Sequence, residues 1–214
     1  MLTIHTAALL LPGGGRAPVA DGAVAVQDAV TVAFGRYGDV AAAHPAARVR
    51  RWPGVLTPGL LQPDAVRLLE ESYFPDPREA DTLGTAPLTG EELDALGPDD
   101  TWRAGSVRRG LHRMLRQGTT AAAAAPTAPP ALVTAMRRSG LLVVGAPSHP
   151  GGTPRLDPLA GAEALAGATA SPLTVGGRAD LAAFDVPDEG ALLAAGAASC
   201  VATIAAGRLV YRGR

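Results

Sequence analysis

The chain is 214 residues long, is 47% hydrophobic but only 4% aromatic, and carries a formal net charge of −1. This length fits one domain, or two small lobes that share a core, with an interior built mainly from Ala, Val and Leu. The balanced charge argues against a nucleic-acid partner, and the lone Cys200 excludes an internal disulfide and a cysteine-cluster zinc site. No signal peptide is visible and no apolar run reaches the ~18 residues of a membrane helix, so we expect a soluble cytoplasmic protein with no membrane partner. The richness in Ala, Gly, Pro and Arg, with no lysine, is typical of a high-GC bacterial source.

The first part of the chain predicts short strands and one helical turn. Asp28 and Ala29 separate two apolar runs and predict a hairpin turn. The predicted strands are residues 2–11, 22–27, 30–34 and 48–52, the last as an edge or half-buried strand, and the helical turn is residues 39–43.

The middle of the chain alternates helices and strands, which is the pattern of parallel βα units. Val66, Leu69 and Tyr73 lie at helical spacing after Asp64, which is a suitable N-cap residue. The predicted helices are residues 64–73, 89–97, 99–118, 131–139 and 159–168, the predicted strands are 119–125 and 141–144, and the predicted loops are 74–89 and 147–158.

The last part of the chain returns to strands. Ala206 and Gly207 predict a tight turn between the final two. The predicted strands are residues 173–175, 181–186, 201–205 and 208–211.

The most informative stretch, here named the TPGL segment, is residues 55–66, which read VLTPGLLQPDAV. It resembles the segment that leads into the catalytic barrel of the amidohydrolases, in particular the imidazolonepropionase-like and cyclic deaminase-like enzymes. In that family the segment ends with two metal-binding histidines, and the matching positions here hold Asp64 and Val66. The family signature is therefore present without the residues that introduce the metal.

Other motifs resemble the same family and occur in the same order. Residues 21–26 (DGAVAV) resemble a strand of the half-sandwich before the barrel, and residues 116–120 (RQGTT) resemble the start of the second barrel strand. Residues 173–181 (LTVGGRADL) and 206–211 (AGRLVY) resemble the returning strand and the closing hairpin. The resemblance implies a structural role for Asp180, which would tie a turn of the sandwich through hydrogen bonds to the backbone.

The resemblance implies a mixed α+β fold in which both chain ends build one composite β-sandwich, residues 1–56 and 171–214. Residues 57–170 would form a shortened α/β segment. A complete barrel needs ~200 residues or more, so at most a vestigial half TIM barrel fits between the two ends. A half-barrel leaves an open strand edge and an apolar face, and we expect a homodimer or a metabolic partner protein to cover them.

The metal site of the family draws on four histidines and an aspartate, whereas this chain has four histidines in all. His5 and His44 lie in the predicted sandwich, which leaves His112 in an arginine-rich helix and His149 in a Pro/Gly-rich connector. Because zinc needs three or four well-placed ligands, we expect no metal ion and no other cofactor.

Four residues remain as candidates for a rebuilt catalytic site: Gln62, Asp64, His112 and His149. Asp64 could be a surviving acid, base or substrate-binding carboxylate, but we favour an N-cap that satisfies free backbone N–H groups of the next helix. Cys200 is expected to be a small buried residue rather than a nucleophile.

Three classes of function fit these observations. We favour a degenerate amidohydrolase-like protein without the metal site, that is, a pseudoenzyme that serves as a non-catalytic partner or binds a small-molecule ligand in bacterial metabolism. The alternatives are a small hydrolase acting on carbon–nitrogen, non-peptide bonds of a cyclic substrate, and a protein-interaction scaffold.

Overall fold

The computed structural model describes residues 1–145 and 152–213. The strands are β1 (Leu2–Leu10), β2 (Val19–Gln27), β3 (Val30–Arg36), β4 (Arg48–Arg51), β5 (Val55–Pro58), β6 (Leu60–Gln62), β7 (Ser72–Tyr73), β8 (Leu88–Thr89), β9 (Thr119–Ala124), β10 (Leu142–Gly145), β11 (Leu181–Phe184), β12 (Cys200–Ala205) and β13 (Arg208–Arg212). The α-helices are α1 (Tyr37–Ala43), α2 (Ala65–Glu70), α3 (Ala80–Leu83), α4 (Glu91–Leu96), α5 (Asp100–Arg116), α6 (Pro130–Arg138) and α7 (Glu189–Ala195). Among the described residues, no helix is both long and apolar enough to cross a membrane.

Both ends of the chain contribute to one eight-stranded mixed sheet. Its strand order is β13-β12-β11-β5-β1-β2-β3, and β4 also pairs with β1. Strands β4 and β5 run parallel to β1 at successive positions along it, whereas β11 pairs antiparallel with both β5 and β12. The predicted mixed fold is therefore confirmed, while closure of this sheet into a sandwich, the half-barrel and the predicted domain boundaries stay predictions.

The chain divides into two compact units. The first contains Met1–Leu61, Leu115–Ala121 and Asp157–Arg214, and the second contains Gln62–Met114 and Ala122–Leu156. The chain thus leaves the first unit within the TPGL segment.

The core of the first unit is made mostly of aliphatic side chains from the large sheet. Phe184 is a central aromatic residue of the core and is fully buried. It shares a cluster with the buried residues Leu11, Val55, Leu60, Leu159, Leu165, Leu192 and Cys200. Fully burying a side chain of this size contributes about 1.5–3 kcal/mol, so the few aromatic residues of the chain do not prevent a stable interior.

In the second unit, one face of α5 holds Phe74. Ser106 Oγ accepts the Phe74 N–H at 2.9 Å, and Arg109 Nε donates to the Phe74 carbonyl at 2.6 Å. Gly110 lets the ring approach, since a Cβ at that position would lie 2.7 Å from Phe74 Cε2. A glycine that weakens the helix by itself therefore makes room for an aromatic side chain.

Strands β6, β9 and β10 form a three-stranded sheet in the order β10-β9-β6. All residues of β9 are buried. The Leu60 N–H donates to the Gly118 carbonyl at 2.9 Å, and Gly59 lies so close to Thr120 that a Cβ there would overlap its side chain. The TPGL segment therefore requires a glycine at this position for packing alone.

The predicted helix over residues 159–168 is wrong. Only a 3₁₀ turn forms there, at Leu165–Ala168. Gly161 has a φ of 81°, which interrupts a right-handed helical path. Leu159 and Leu165 are buried, so the apolar spacing reflects two anchoring side chains rather than a helical face.

The predicted strand over residues 173–175 is also wrong. The Leu173 N–H donates to the Pro12 carbonyl at 2.9 Å, in a segment without strand pairing. A turn follows at Gly176, whose φ is 83°. By contrast, the sequence prediction omitted α7, which Asp188 caps by accepting the Ala191 N–H at 2.8 Å.

Candidate functional site

Gln62, at the end of β6, has its side-chain amide fully engaged by the protein. Its Nε2 donates to the carbonyls of Arg155 and Leu156 at 3.1 and 2.9 Å, and its Oε1 accepts the Asp64 N–H at 3.0 Å. The residue is completely buried. Gln62 thus ties the TPGL segment to residues 155–156.

Asp64 occupies the N-cap position of α2, but its side chain makes no capping hydrogen bond. The predicted capping role is therefore wrong. Its Oδ2 instead accepts the Arg155 N–H at 3.2 Å, and its Oδ1 lies 3.8 Å from Arg67 Nη1. The carboxylate is drawn away from the helix because a distant backbone N–H and a guanidinium compete for it, so Asp64 and Gln62 hold the same backbone stretch.

Arg67 extends this cluster along α2. Its Nε and Nη2 donate to the two carboxylate oxygens of Glu71 at 3.0 and 2.9 Å, and Nη2 also donates to the Gly152 carbonyl at 2.6 Å. The hydrogen bond that Arg67 donates to Glu71 raises the pKa of Arg67 above its ordinary value. Arg67 therefore stays charged beside Asp64.

His112 does not join Gln62 and Asp64 in a common site. It lies on α5 with an exposed side chain, whereas Gln62 is buried. His149 lies outside the described residues. Of the three candidate residues in the described part of the chain, the structure brings together Gln62 and Asp64 and leaves His112 apart.

The second unit contains a cleft with a volume of about 500 Å³. It is lined by Glu70, Glu71, Thr89, Gly90, Leu93, Asp94, Arg103, Gly152, Thr153 and Pro154. Three carboxylates and one guanidinium give it a polar, mixed-charge wall. Neither Gln62 nor Asp64 lines it, and a sequence signal for the cleft is the adjacent pair Glu70-Glu71.

The surroundings of Asp64 do not fit a metal ion. A guanidinium, that of Arg67, lies 3.8 Å from this carboxylate, and Val66, at the position that the resemblance assigns to the second metal ligand, has no ligating atom and is buried. Within residues 1–145 and 152–213, no three His, Cys, Asp or Glu side chains are grouped closely enough to hold a metal.

Asp180 has the structural role that the resemblance implied. Its Oδ1 accepts the Ala206 N–H at 2.7 Å, and Arg178 Nε donates to its two oxygens at 3.0 and 2.8 Å. Burial raises the pKa of the Asp180 carboxyl, and the Ala206 N–H and Arg178 oppose that rise. Asp180 thus anchors the turn between β12 and β13.

Cys200 is buried, and burial raises the pKa of its thiol to about 11. A thiol with so high a pKa is protonated near neutral pH and is a poor nucleophile. The prediction of a small buried residue is confirmed.

Sequence reasoning missed a polar network around Tyr73. The buried Tyr73 hydroxyl lies 2.9 and 3.1 Å from the two carboxylate oxygens of Glu79, and Arg109 Nη2 donates to it at 3.3 Å. Arg109 also pairs with Asp76 at 3.4 Å. Burial raises the pKa of Tyr73, and the contacts fix the loop after β7 against α5. No local sequence pattern signals it, because Arg109 lies more than thirty residues from its partners.

No protein-family model and no curated protein matches this chain. Similar solved structures include the ochratoxinase of A. niger, with a TM-score of 0.45 and 20% identity over 67% of this chain and 31% of that one. An adenosine deaminase from Xanthomonas campestris with bound zinc has a TM-score of 0.45 and 19% identity over 66% of this chain and 33% of that one. A guanine deaminase from Bradyrhizobium japonicum has a TM-score of 0.44 and 21% identity over 67% of this chain and 34% of that one. The chain spans about a third of the length of these proteins.

Proposed function

We propose that this chain is a degenerate amidohydrolase-like protein without the metal site of that family, acting as a non-catalytic or ligand-binding partner in metabolism. The ordered family motifs of the sequence support the descent. The observation that carries the loss of chemistry is that the Gln62 amide nitrogen and one carboxylate oxygen of Asp64, Oδ2, are both hydrogen-bonded to the backbone of residues 155–156.

A catalytic acid, base or substrate-binding group must have a polar atom that can reach the substrate. In Gln62, both amide N–H groups and the carbonyl oxygen already have partners within the chain. The TPGL segment therefore works as a structural tie, and a hydrolase site built on Gln62 and Asp64 would first have to break it.

The test of this proposal combines metal analysis with a substitution. Purified full-length protein is expected to contain no stoichiometric zinc, and one tightly bound equivalent would contradict the proposal. Gln62→Leu removes three hydrogen bonds and leaves two carbonyls unsatisfied, so it should lower the free energy of unfolding by about 2–3 kcal/mol in urea titrations. Gln27 is exposed at the end of β2, so Gln27→Leu should change stability by less than about 0.5 kcal/mol.

The cleft supports the ligand-binding part of the proposal. Its volume of about 500 Å³ lies within the range of small-molecule sites, and its wall carries both signs of charge. A small-molecule panel followed by thermal unfolding should yield a ligand whose stabilisation is lost in Asp94→Asn, with exposed Asp81→Asn as the matched control.

A homodimer is also part of the proposal, since a shortened barrel would leave an open strand edge and an apolar face that need cover. Sedimentation velocity of the full chain should give twice the monomer mass of 21.6 kDa. A monomer at all concentrations would remove the dimer from the proposal without affecting the metal result.

A further inference from the structure

We propose that β4 is a docking edge for an extended acidic segment of a partner protein, which would pair with it as an added strand. The proposal concerns the first unit only and does not depend on the proposed loss of the metal site. It rests on three features of Arg48–Arg51: an open edge, uncompensated positive charge and an exposed apolar side chain.

The edge is open because, among the described residues, β4 pairs with β1 alone. The Trp52 N–H donates to the Thr6 carbonyl at 2.8 Å, which places alternate residues of this stretch in contact with β1. Backbone groups of a strand alternate in direction, so the N–H and C=O of Val49 and Arg51 face away from β1. These groups are the donors and acceptors that an added strand would use.

The charge of β4 is uncompensated within the described part of the chain. Arg48, Arg50 and Arg51 lie within four residues, and none forms an ion pair with a carboxylate there. Arg51 packs over the Tyr37 ring at 4.5 Å, which orients it without neutralising it. Arg48 and Arg50 lie on one face of the strand and favour a partner with carboxylates at alternate positions, while Arg51 on the other face adds to the attraction for a segment with net negative charge.

Val49 adds an apolar contact, since 38% of it is exposed between two arginines. An added strand with alternating acidic and β-branched residues would match both kinds of side chain.

The side-chain pattern of β4 also distinguishes between possible binding partners. A second copy of β4 would place arginines opposite arginines, and single-stranded nucleic acid would need free aromatic faces. Trp52 and Tyr37 are instead engaged by His5 and Arg51.

The experiment uses full-length protein and two synthetic peptides, acetyl-Glu-Val-Glu-Val-Glu-Val-amide and its Lys-for-Glu counterpart, in titration calorimetry. The acidic peptide should bind and the basic one should not, with affinity falling about tenfold between about 50 and about 300 mM NaCl. Arg48→Glu combined with Arg51→Glu should weaken binding by at least about tenfold. The matched control, Arg208→Glu with Arg212→Glu on the edge strand β13, should leave it unchanged.

A backbone variant separates strand addition from simple charge attraction. Val49→Pro removes an N–H that β1 does not use, so the sheet should keep its melting temperature while peptide binding is lost. Val49→Ala should retain binding, because it keeps that N–H. Full binding by Val49→Pro overturns the proposal.

Absence of acidic-peptide binding also overturns it, and aggregation of the Arg48→Ser, Arg51→Ser variant would then identify the arginines as protection of a bare edge. Tighter binding of an oligouridine than of the acidic peptide overturns it in favour of nucleic acid. Loss of dimer mass in the Arg48→Glu, Arg51→Glu variant without peptide binding would assign the edge to a second copy.

Discussion

At the scale of single residues, His5 is a buried imidazole that the fold keeps in its neutral form. Its Nδ1 accepts the Trp52 Nε1–H at 3.1 Å, which a protonated Nδ1 could not do. Burial, and to a smaller extent the charge of Arg50, lower the pKa of His5 from 6.5 to about 4. The unfolded chain therefore binds a proton at a pH where the native protein does not.

We predict that the native state loses stability as the pH falls below 6.5 and that the loss is complete below about pH 4. Because the pKa of His5 is lower in the folded than in the unfolded state, neutral His5 contributes fully to the free energy of unfolding only above pH 6.5. At most about 3 kcal/mol of that free energy is lost between pH 6.5 and about pH 4. Urea titrations at about pH 7.5 and about pH 4.5 measure the change.

The variant His5→Phe keeps a ring at this position but cannot titrate. It should be less stable near neutral pH, because Trp52 loses its acceptor, and its stability should vary less with pH than that of the wild type. His44→Ala, at a less buried position, should keep the wild-type slope. An unchanged slope in His5→Phe would assign the acid sensitivity to other groups.

At the scale of elements, α5 shows how far a sequence pattern carries. The apolar positions Val107, Leu111, Met114 and Leu115 predict its buried face; the last three are buried, and Val107 is partly buried. Gly105 and Gly110 count against a helix by propensity, and only the packing of Phe74 explains the second of them. The pattern of apolar residues can locate a helix, but it cannot show which neighbouring side chain occupies the space that a glycine leaves.

This difference predicts opposite effects for two equivalent substitutions in α5. Gly110→Ala should destabilise the protein by about 1–3 kcal/mol, because its Cβ would lie 2.7 Å from the Phe74 ring, a clash that outweighs the helix-propensity gain. Gly105→Ala meets the end of the Arg109 side chain, at 3.0 Å, which needs to shift by only a few tenths of an ångström within its hydrogen bonds, so the helix-propensity gain should prevail and stabilise by up to about 0.5 kcal/mol. Thermal unfolding of both variants checks the signs, and equal effects would show that propensity alone governs the helix.

At the scale of the whole molecule, the first unit depends on strands that are far apart in sequence. Strand β12 lies between β11 and β13, and its Ala202 and Ile204 are fully buried. Thr203 Oγ1 also donates to the Leu115 carbonyl at 2.6 Å. Strand β12 is therefore part of the interior rather than an appendage.

Ending the chain after Ser199 removes β12 and β13 and should abolish cooperative unfolding, because β11 then loses one of its two neighbours and the core loses the buried side chains of β12. Ending it after Gly207 removes only the edge strand β13, so a cooperative but less stable protein is expected. Circular dichroism during urea titration distinguishes the two, and a cooperative transition in the shorter chain would contradict this role of β12.

By itself, the sequence determined the mixed composition of elements, the strands at both chain ends, the hairpin turns and the buried character of Cys200. These follow from periodicity, turn residues and apolarity within short windows. Only the tertiary structure decided that Asp64 binds the Arg155 N–H rather than capping α2, since these partners lie 91 residues apart and no local pattern joins them. It likewise decided that every hydrogen-bonding group of the Gln62 side chain has a partner and that, among the described residues, one edge of β4 is unpaired. Both depend on which distant backbone groups the fold places next to these residues.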